Sequence, residues 1–148
     1  LAGETVQKWS QMITLTGTKG LANNPNVTPQ GYAEQIAGGF KKVCPDSFSG
    51  SGLGATKVGK YDAFSALVSC GTVTLAGATY SESIMLIVVK GAEDFYSLQW
   101  SERGAASPKP LVANQDKWAE RLKALPPLKL CPIIPGEVAP YPSCAYGA

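Results

Sequence analysis

The four cysteines limit the fold of this chain more than any other feature; they are Cys44, Cys70, Cys131 and Cys144. A zinc site built from four cysteines usually draws its ligands from two closely spaced pairs, and no C-x-x-C pair occurs here. Two disulfide bonds therefore explain the cysteines better than a metal ion does. Because disulfide bonds persist in oxidising compartments, we expect a periplasmic or secreted protein. The chain starts without an initiator Met, as expected of a mature form whose export signal has been removed or of a trimmed chain.

Three pairings of four cysteines are possible. We favour Cys44–Cys70 and Cys131–Cys144, because the second pair closes a short loop within one proline-rich segment. Six of the eleven prolines lie from Pro126 onward, where they argue against a regular helix. The predicted organisation is a single α+β domain over residues 1–125 and a disulfide-closed tail over residues 126–148 that packs on it. Each bridge would stabilise the fold by about 3–3.5 kcal/mol on chain-entropy grounds.

Composition removes several classes of function. The 148 residues suit one domain, and 45% of them are hydrophobic, which is enough for a core. The net charge of +2 is too small to predict nucleic acid as a partner. No histidine occurs, which excludes Ser-His-Asp and Cys-His sites, imidazole bases and most zinc sites. The longest apolar run, Ile84–Val89, falls far short of the roughly 20 residues that span a bilayer, so no transmembrane segment is expected.

Hydrophobic periodicity predicts both helices and strands. A helix starts at Thr28-Pro29, an N-cap followed by proline at the first helical position, and ends before Pro45. A second helix follows the cap residue Asn114. The glycine-rich residues 49–60 predict a mobile loop, and residues 71–82 predict a long hairpin connection. Alternating side chains predict strands at residues 9–16, 63–70 and 95–101, and the run 83–89, which is apolar on both faces, predicts a central strand.

The predicted order is strand, helix, three strands, helix and tail. Short links between consecutive strands favour an antiparallel meander. We predict an α+β fold in which a mostly antiparallel sheet packs with helices in an α/β/α-type sandwich. On the strand that ends at Cys70, alternate residues from Phe64 share one face, and this face would bring Cys70 towards the helix that ends at Cys44.

Three features resemble motifs of enzymes or nucleotide-binding proteins, and each lacks a required part. The segment Gly54–Lys60 reads G-x-x-x-x-G-K, but Tyr61 stands where a P-loop needs serine or threonine, and no helix follows. Glu93-Asp94 is the only adjacent pair of carboxylates, and a turn explains it. The nearest candidates for a Ser-Lys pair that works without histidine are Ser51 or Ser69 with Lys57 or Lys60. We therefore assign no catalytic residue, no cofactor and no metal ligand.

The strand at residues 95–101 suggests a binding patch. Tyr96 and Trp100 alternate on one of its faces. If this face is the less buried one, the two rings form an aromatic platform near Arg103 and Lys90. Core filling is the simpler explanation for aromatic side chains, because they dominate the burial energy of cores. The possible binding patch consists of Tyr96, Trp100, Arg103 and Lys90.

Several segments resemble a family of small, exported, uncharacterised proteobacterial proteins. They are W-S-x-M-I-T from Trp9, F-K-K-V-C-P at Phe40–Pro45 and F-Y-S-L-Q-W-S-x-R at Phe95–Arg103. The resemblance covers roughly residues 6–103, and it implies that Cys44 pairs with Cys70, since both match the family's cysteine positions. The order of elements also resembles the PsbP-type α/β/α sandwich, whose members mostly act as binding or assembly accessories. The family implies no catalytic motif.

We therefore expect a non-catalytic exported domain that recognises a protein partner or a small ligand in the cell envelope. Two alternatives stay open: a hydrolase that uses a carboxylate pair or a Ser-Lys pair, and an inhibitor or subunit of an envelope assembly. No sequence feature indicates an oligomeric state.

Overall fold

A computed structural model describes residues 2–146, which form a five-stranded antiparallel sheet packed with helices. This is the α+β architecture that the sequence predicts. The strands are β1 (Gln11–Thr18), β2 (Phe48–Val58), β3 (Tyr61–Leu75), β4 (Ala78–Lys90) and β5 (Phe95–Gly104). The helices are α1 (Pro29–Val43), α2 (Gln115–Ala124) and the short α3 (Pro142–Ala145), with a 3-10 turn at Leu21–Asn23. Within residues 2–146, no helix is long and apolar enough to cross a membrane.

The sheet has the strand order β1-β5-β4-β3-β2. Strands β2 to β5 form a meander, and β1 pairs with β5 as the edge strand opposite β2. The register of β1 on β5 places Ile13 opposite Trp100 and Leu15 opposite Leu98. The apolar run Ile84–Val89 lies in β4, the central strand, and is buried throughout. A continuous apolar run suits this position because both faces of β4 are covered by other elements.

The helix α1 covers one face of the sheet. It starts as predicted, because the Thr28 hydroxyl accepts a hydrogen bond of 3.0 Å from the Gly31 amide. Ala33 packs against Leu86 and Phe95 on this face, which is the α1 face. Cys44 follows the last turn of α1 and forms a disulfide bond with Cys70 on β3. This predicted pairing is confirmed, and it ties α1 covalently to the sheet.

The helix α2 and the C-terminal tail cover the opposite face, here called the α2 face. Trp118 of α2 packs against Leu67 and Met85, and Leu130 of the tail packs near Ile87 and Val89. The second predicted disulfide bond, Cys131–Cys144, is also present. The sheet is therefore covered on both faces, as in the predicted sandwich.

The sequence prediction of a mobile loop at residues 49–60 is wrong, because residues 49–58 belong to β2 and only residues 59 and 60 form a turn. Glycine and serine have low strand propensity, but β2 pairs with β3 along nearly its whole length. Aromatic rings explain two of the glycines: a Cβ atom on Gly50 would lie 3.0 Å from the Phe48 ring, and one on Gly52 would lie 3.1 Å from the Phe64 ring. The strand order is therefore one strand, α1 and four strands, rather than three.

Two further predictions need correction. Residues 71–82 are almost entirely strand, because β3 and β4 extend to a tight turn at Ala76 and Gly77, both with positive φ. The tail contains the four-residue helix α3, although its prolines argue against a helix. Pro142 occupies the first turn of α3, where a missing amide proton costs nothing.

Gly71 explains how the chain after β5 is held against the sheet. A Cβ atom on Gly71 would lie 2.3 Å from the Lys109 carbonyl oxygen and 2.5 Å from that of Ser107. The Ser107 amide donates to the Gly71 carbonyl at 2.8 Å. This close backbone contact needs glycine, and it directs the chain towards α2.

Candidate functional site

The four residues of the predicted patch lie on two different faces of the sheet. Tyr96 and Trp100 lie on the α2 face, because they are paired with Val89 and Met85 of that face. Strand alternation puts Arg103 on the α1 face, and Lys90 lies there as the partner of Phe95. Tyr96 and Trp100 therefore share the α2 face, whereas Arg103 and Lys90 lie on the opposite face and do not join them in one patch.

The Arg103 guanidinium is engaged in contacts within the protein. It stacks between two aromatic rings, 3.7 Å from the centre of Trp9 and 4.0 Å from that of Tyr80. It also forms an ion pair with Glu82 and donates to the Gln7 carbonyl oxygen. These contacts hold the N-terminal segment against the sheet, which is a structural role.

Lys90 likewise contacts the body of the protein. Its ammonium group donates to the Val27 carbonyl oxygen at 3.0 Å and lies 5.8 Å from the centre of the Phe95 ring. The segment before α1 is fastened to the sheet in this way.

Trp100 is half-buried under α2. Its ring packs edge-to-face on Trp118 with a centroid distance of 6.1 Å, and its indole N–H donates to the Gln11 side chain. The Arg121 guanidinium lies 4.8 Å from the Trp118 ring and 5.6 Å from the Trp100 ring. Trp100 therefore helps to hold α2 and shows only part of its ring to solvent.

Tyr96 is the patch residue that faces an open cavity. The cavity has a volume of about 240 Å³ and lies between the sheet and the tail. Ile87, Val89 and Leu98 form its floor, and Leu15, Leu128 and Leu130 form its walls. Burial raises the pKa of the Tyr96 hydroxyl, and the neighbouring Asp94 carboxylate raises it further, so the hydroxyl stays protonated at neutral pH.

The loop closed by Cys131–Cys144 exposes large apolar side chains. Ile133 is 94% exposed, Val138 76% and Tyr141 56%. The loop is nonetheless held in shape, since the Glu137 carboxylate accepts hydrogen bonds from the Ser143 amide at 2.7 Å and hydroxyl at 2.6 Å. These two hydrogen bonds also lower the pKa of Glu137. The sequence interpretation missed these side chains, and the signal for them was the isoleucine pair between two prolines of the closed loop.

The loop and the cavity adjoin and form one mainly apolar region, whose lining also includes Lys129 and Glu137. The segment Leu128–Leu130 lines the cavity beside Tyr96 on one side and adjoins a hollow of about 500 Å³ within the loop on the other. Ile133, Ile134 and Tyr141 line that hollow. We call the whole region the tail-side surface, and it consists of Leu15, Tyr96, Leu128, Ile133, Ile134 and Tyr141.

The structure also places the motif-like residues of the sequence. Gly54–Lys60 lies in the end of β2 and the turn to β3, where Lys57 pairs with Asp62 across the hairpin. The buried Ser69 hydroxyl donates to Ser83 and contacts neither lysine. Asp94 accepts a hydrogen bond from the Gly20 amide. Among residues 2–146, no group of acidic residues or cysteines is arranged to hold a metal ion.

Comparison of the chain with protein-family models, with curated proteins and with solved structures gave no match in any of the three.

Proposed function

We propose that this protein is a non-catalytic, exported accessory domain that binds a protein partner through the tail-side surface. The observation that carries the proposal is the cluster of large apolar side chains on the Cys131–Cys144 loop, among them Ile133 and Tyr141. Isolated apolar side chains are common on protein surfaces, whereas contiguous exposed ones mark interaction sites.

The construction of the loop supports binding. A disulfide bond, the Glu137–Ser143 hydrogen bonds and several prolines restrict the loop before any partner arrives. Such preorganisation lowers the entropic cost of association. The cavity beside Tyr96 is suited to an apolar anchor side chain of the partner, and buried anchors of this kind carry most of the binding free energy of interfaces.

A periplasmic or secreted location is part of the proposal. Both predicted disulfide bonds are formed in the fold, and they suit an oxidising compartment. Membership of the exported proteobacterial family is proposed from the W-S-x-M-I-T, F-K-K-V-C-P and F-Y-S-L-Q-W-S-x-R segments, and a PsbP-like fold is proposed from the order of elements. An inhibitor or a subunit of an envelope assembly would bind through the same surface.

The test is affinity capture from envelope extracts with two variants of the tagged protein. One variant carries Ile133→Ser, Ile134→Ser and Tyr141→Ser. The matched control carries Leu75→Ser and Val112→Ser, two exposed apolar residues elsewhere on the surface. We expect the wild type and the control to recover a common partner about tenfold more strongly than the first variant does, as quantified by mass spectrometry.

Equal recovery of the same partner by all three proteins would contradict the proposal. So would turnover of a substrate that disappears when a single polar residue is changed, because that result would indicate an enzyme.

A further inference from the structure

A polar cleft lies on the α2 face, at the other end of the strands from the tail-side surface. It has a volume of about 360 Å³ and is bounded by the start of β4, the end of β5 and the chain entering α2. Ser81, Ser83, Glu102 and Gly104 line its sheet side, and Lys117 lines its helix side. The cleft is thus separate from the surface proposed to bind a protein.

The serine hydroxyls of the cleft have hydrogen-bonding capacity to spare. Ser69 donates to Ser83 at 3.0 Å, so the proton of Ser83 itself is free to be donated. Ser81 is only 6% exposed as a residue, but its hydroxyl oxygen borders the cleft and is reached by solvent there, and no hydrogen bond of this hydroxyl is found among residues 2–146. The Ser81 hydroxyl can therefore donate to, or accept from, a molecule that enters the cleft.

Gly104 keeps this hydroxyl accessible. It is paired with Ser81 across β4 and β5, and a Cβ atom on Gly104 would lie 3.2 Å from the Ser81 hydroxyl oxygen. The backbone of Gly104 does not have a positive φ, so its conformation does not require glycine. The missing side chain leaves open space next to Ser81.

The charges of the cleft favour an anion. Glu102 accepts hydrogen bonds from both Lys117 and Arg121, and the three groups together carry one net positive charge. The Arg121 guanidinium lies beside the Trp100 and Trp118 rings, 5.6 Å and 4.8 Å from their centres. Because Arg121 alone can still pair with Glu102, Lys117 is able to turn towards a ligand without leaving a carboxylate unpaired.

From this arrangement we infer that the cleft binds a small organic acid through its carboxylate group. The carboxylate accepts hydrogen bonds from the hydroxyls of Ser81 and Ser83 and from the Lys117 ammonium group. Such a site uses two neutral donors and one charged donor, and the charged hydrogen bond is the strongest of the three.

The experiment is an NMR titration of the amide resonances of the full chain with sodium succinate, at constant ionic strength maintained with sodium chloride. We expect saturable shifts at residues 81–83, 102–104 and 111–117. Lys117→Met should weaken binding about tenfold, and Ser81→Ala should weaken it about two- to tenfold. Gly104→Ala should weaken it as well, because its methyl group occupies the space beside Ser81.

The matched controls are Lys123→Met, on the exposed face of α2, and Gly38→Ala, whose added methyl group contacts nothing. Both should bind like the wild type. The inference is overturned if no shift saturates, if sodium sulfate produces the same shifts, or if folded Lys117→Met and Gly104→Ala variants bind as tightly as the wild type.

Discussion

Glu102 lies where α2 meets the sheet and is bound by two cations. Arg121 donates to one of its carboxylate oxygens at 2.7 Å, and Lys117 donates to the other. Burial by itself would raise the pKa of Glu102, but the hydrogen bonds from Arg121 and Lys117 outweigh it, so the pKa lies below its ordinary value. This carboxylate therefore links α2 to the sheet only while it is ionised.

Replacement of Glu102 by Gln should destabilise the fold by about 1–2 kcal/mol at pH 7. A pKa that is lower in the folded than in the unfolded state gives stability that is fully present above the unfolded value of about 4.3. That stability is lost as the pH falls through the folded value. Urea unfolding of the wild type and of Glu102→Gln should therefore show a smaller difference in the free energy of unfolding at pH 3 than at pH 7.

The matched control for this prediction is Glu120→Gln. Glu120 pairs with Lys123 on the outer side of α2, where both side chains are largely exposed, so its loss should cost less than about 0.5 kcal/mol at either pH. If Glu102→Gln lowers the free energy of unfolding by the same amount at both pH values, the lowered pKa of Glu102 contributes nothing to stability.

The predicted binding patch shows how far the alternation of side chains along a strand can predict which residues share a face. Tyr96 and Arg103 differ by an odd number of positions on one strand, so alternation alone puts them on opposite faces. Lys90 lies on another strand, and its face depends on the register of β4 against β5, which the sequence does not fix. The exposed loop side chains have no periodicity, so burial patterns could not predict them.

At the scale of elements, Trp118 provides the largest apolar contact of α2 with the sheet, and Leu122 packs beside it. Trp118 is its one residue that is buried, at 3% exposure, and it packs on Leu67 and Met85. Most of the remaining surface of α2 is polar, as expected of a helix with one face on a sheet.

Trp118→Ala should destabilise the protein by about 3–5 kcal/mol or release α2 from the sheet, because it removes the largest apolar contact between them. Hydrogen exchange measured by mass spectrometry will show loss of protection in residues 115–124. Val112→Ala is the control: Val112 is 96% exposed just before α2, and its truncation should change stability by less than about 0.5 kcal/mol. Unchanged protection of α2 in Trp118→Ala would refute the anchoring role.

The elements that the sequence predicts well are those with strong local signals. Thr28 and Asn114 both cap helices as expected, because their side chains accept hydrogen bonds from amides in the first turn. Strand β2 was missed because its stability comes from pairing with β3 and from rings lying over Gly50 and Gly52. Such tertiary contacts leave no periodic trace in a glycine-rich segment.

At the scale of the whole molecule, the two disulfide bonds act on different parts. Cys44 and Cys70 are almost fully buried and join α1 to β3 in the middle of the fold. Cys131 and Cys144 close a loop of which most side chains are exposed, and this loop meets the core through Leu130.

Removal of the first bridge by Cys44→Ala and Cys70→Ala should lower the free energy of unfolding by about 3.5 kcal/mol, given the 26-residue separation of the pair. Removal of the second by Cys131→Ala and Cys144→Ala should lower the free energy of unfolding of the sheet by less than about 1 kcal/mol, below the roughly 3 kcal/mol that chain entropy alone predicts, because the loop is mostly exposed. The opened loop gains freedom in the native state as well as in the unfolded state, so the entropy of closure largely cancels.

Urea unfolding followed by tryptophan fluorescence will measure both effects, and limited proteolysis will report on the loop. We expect cleavage within residues 131–144 to accelerate only in the second variant. If loss of Cys131–Cys144 lowers the free energy of unfolding more than loss of Cys44–Cys70 does, the two bridges do not have these separate roles.

The position of β1 in the sheet has a consequence for the order of assembly. Strands β2 to β5 pair with their neighbours in the chain. Gln11 of β1, in contrast, pairs with Glu102 of β5, which is far from it in the sequence. On a ribosome or during translocation, the strand that emerges first must wait until the last strand has followed it. We therefore expect the meander of β2 to β5 to form early and β1 to pair with β5 late. Pairing of strands that are distant in the sequence carries the larger entropic cost of loop closure.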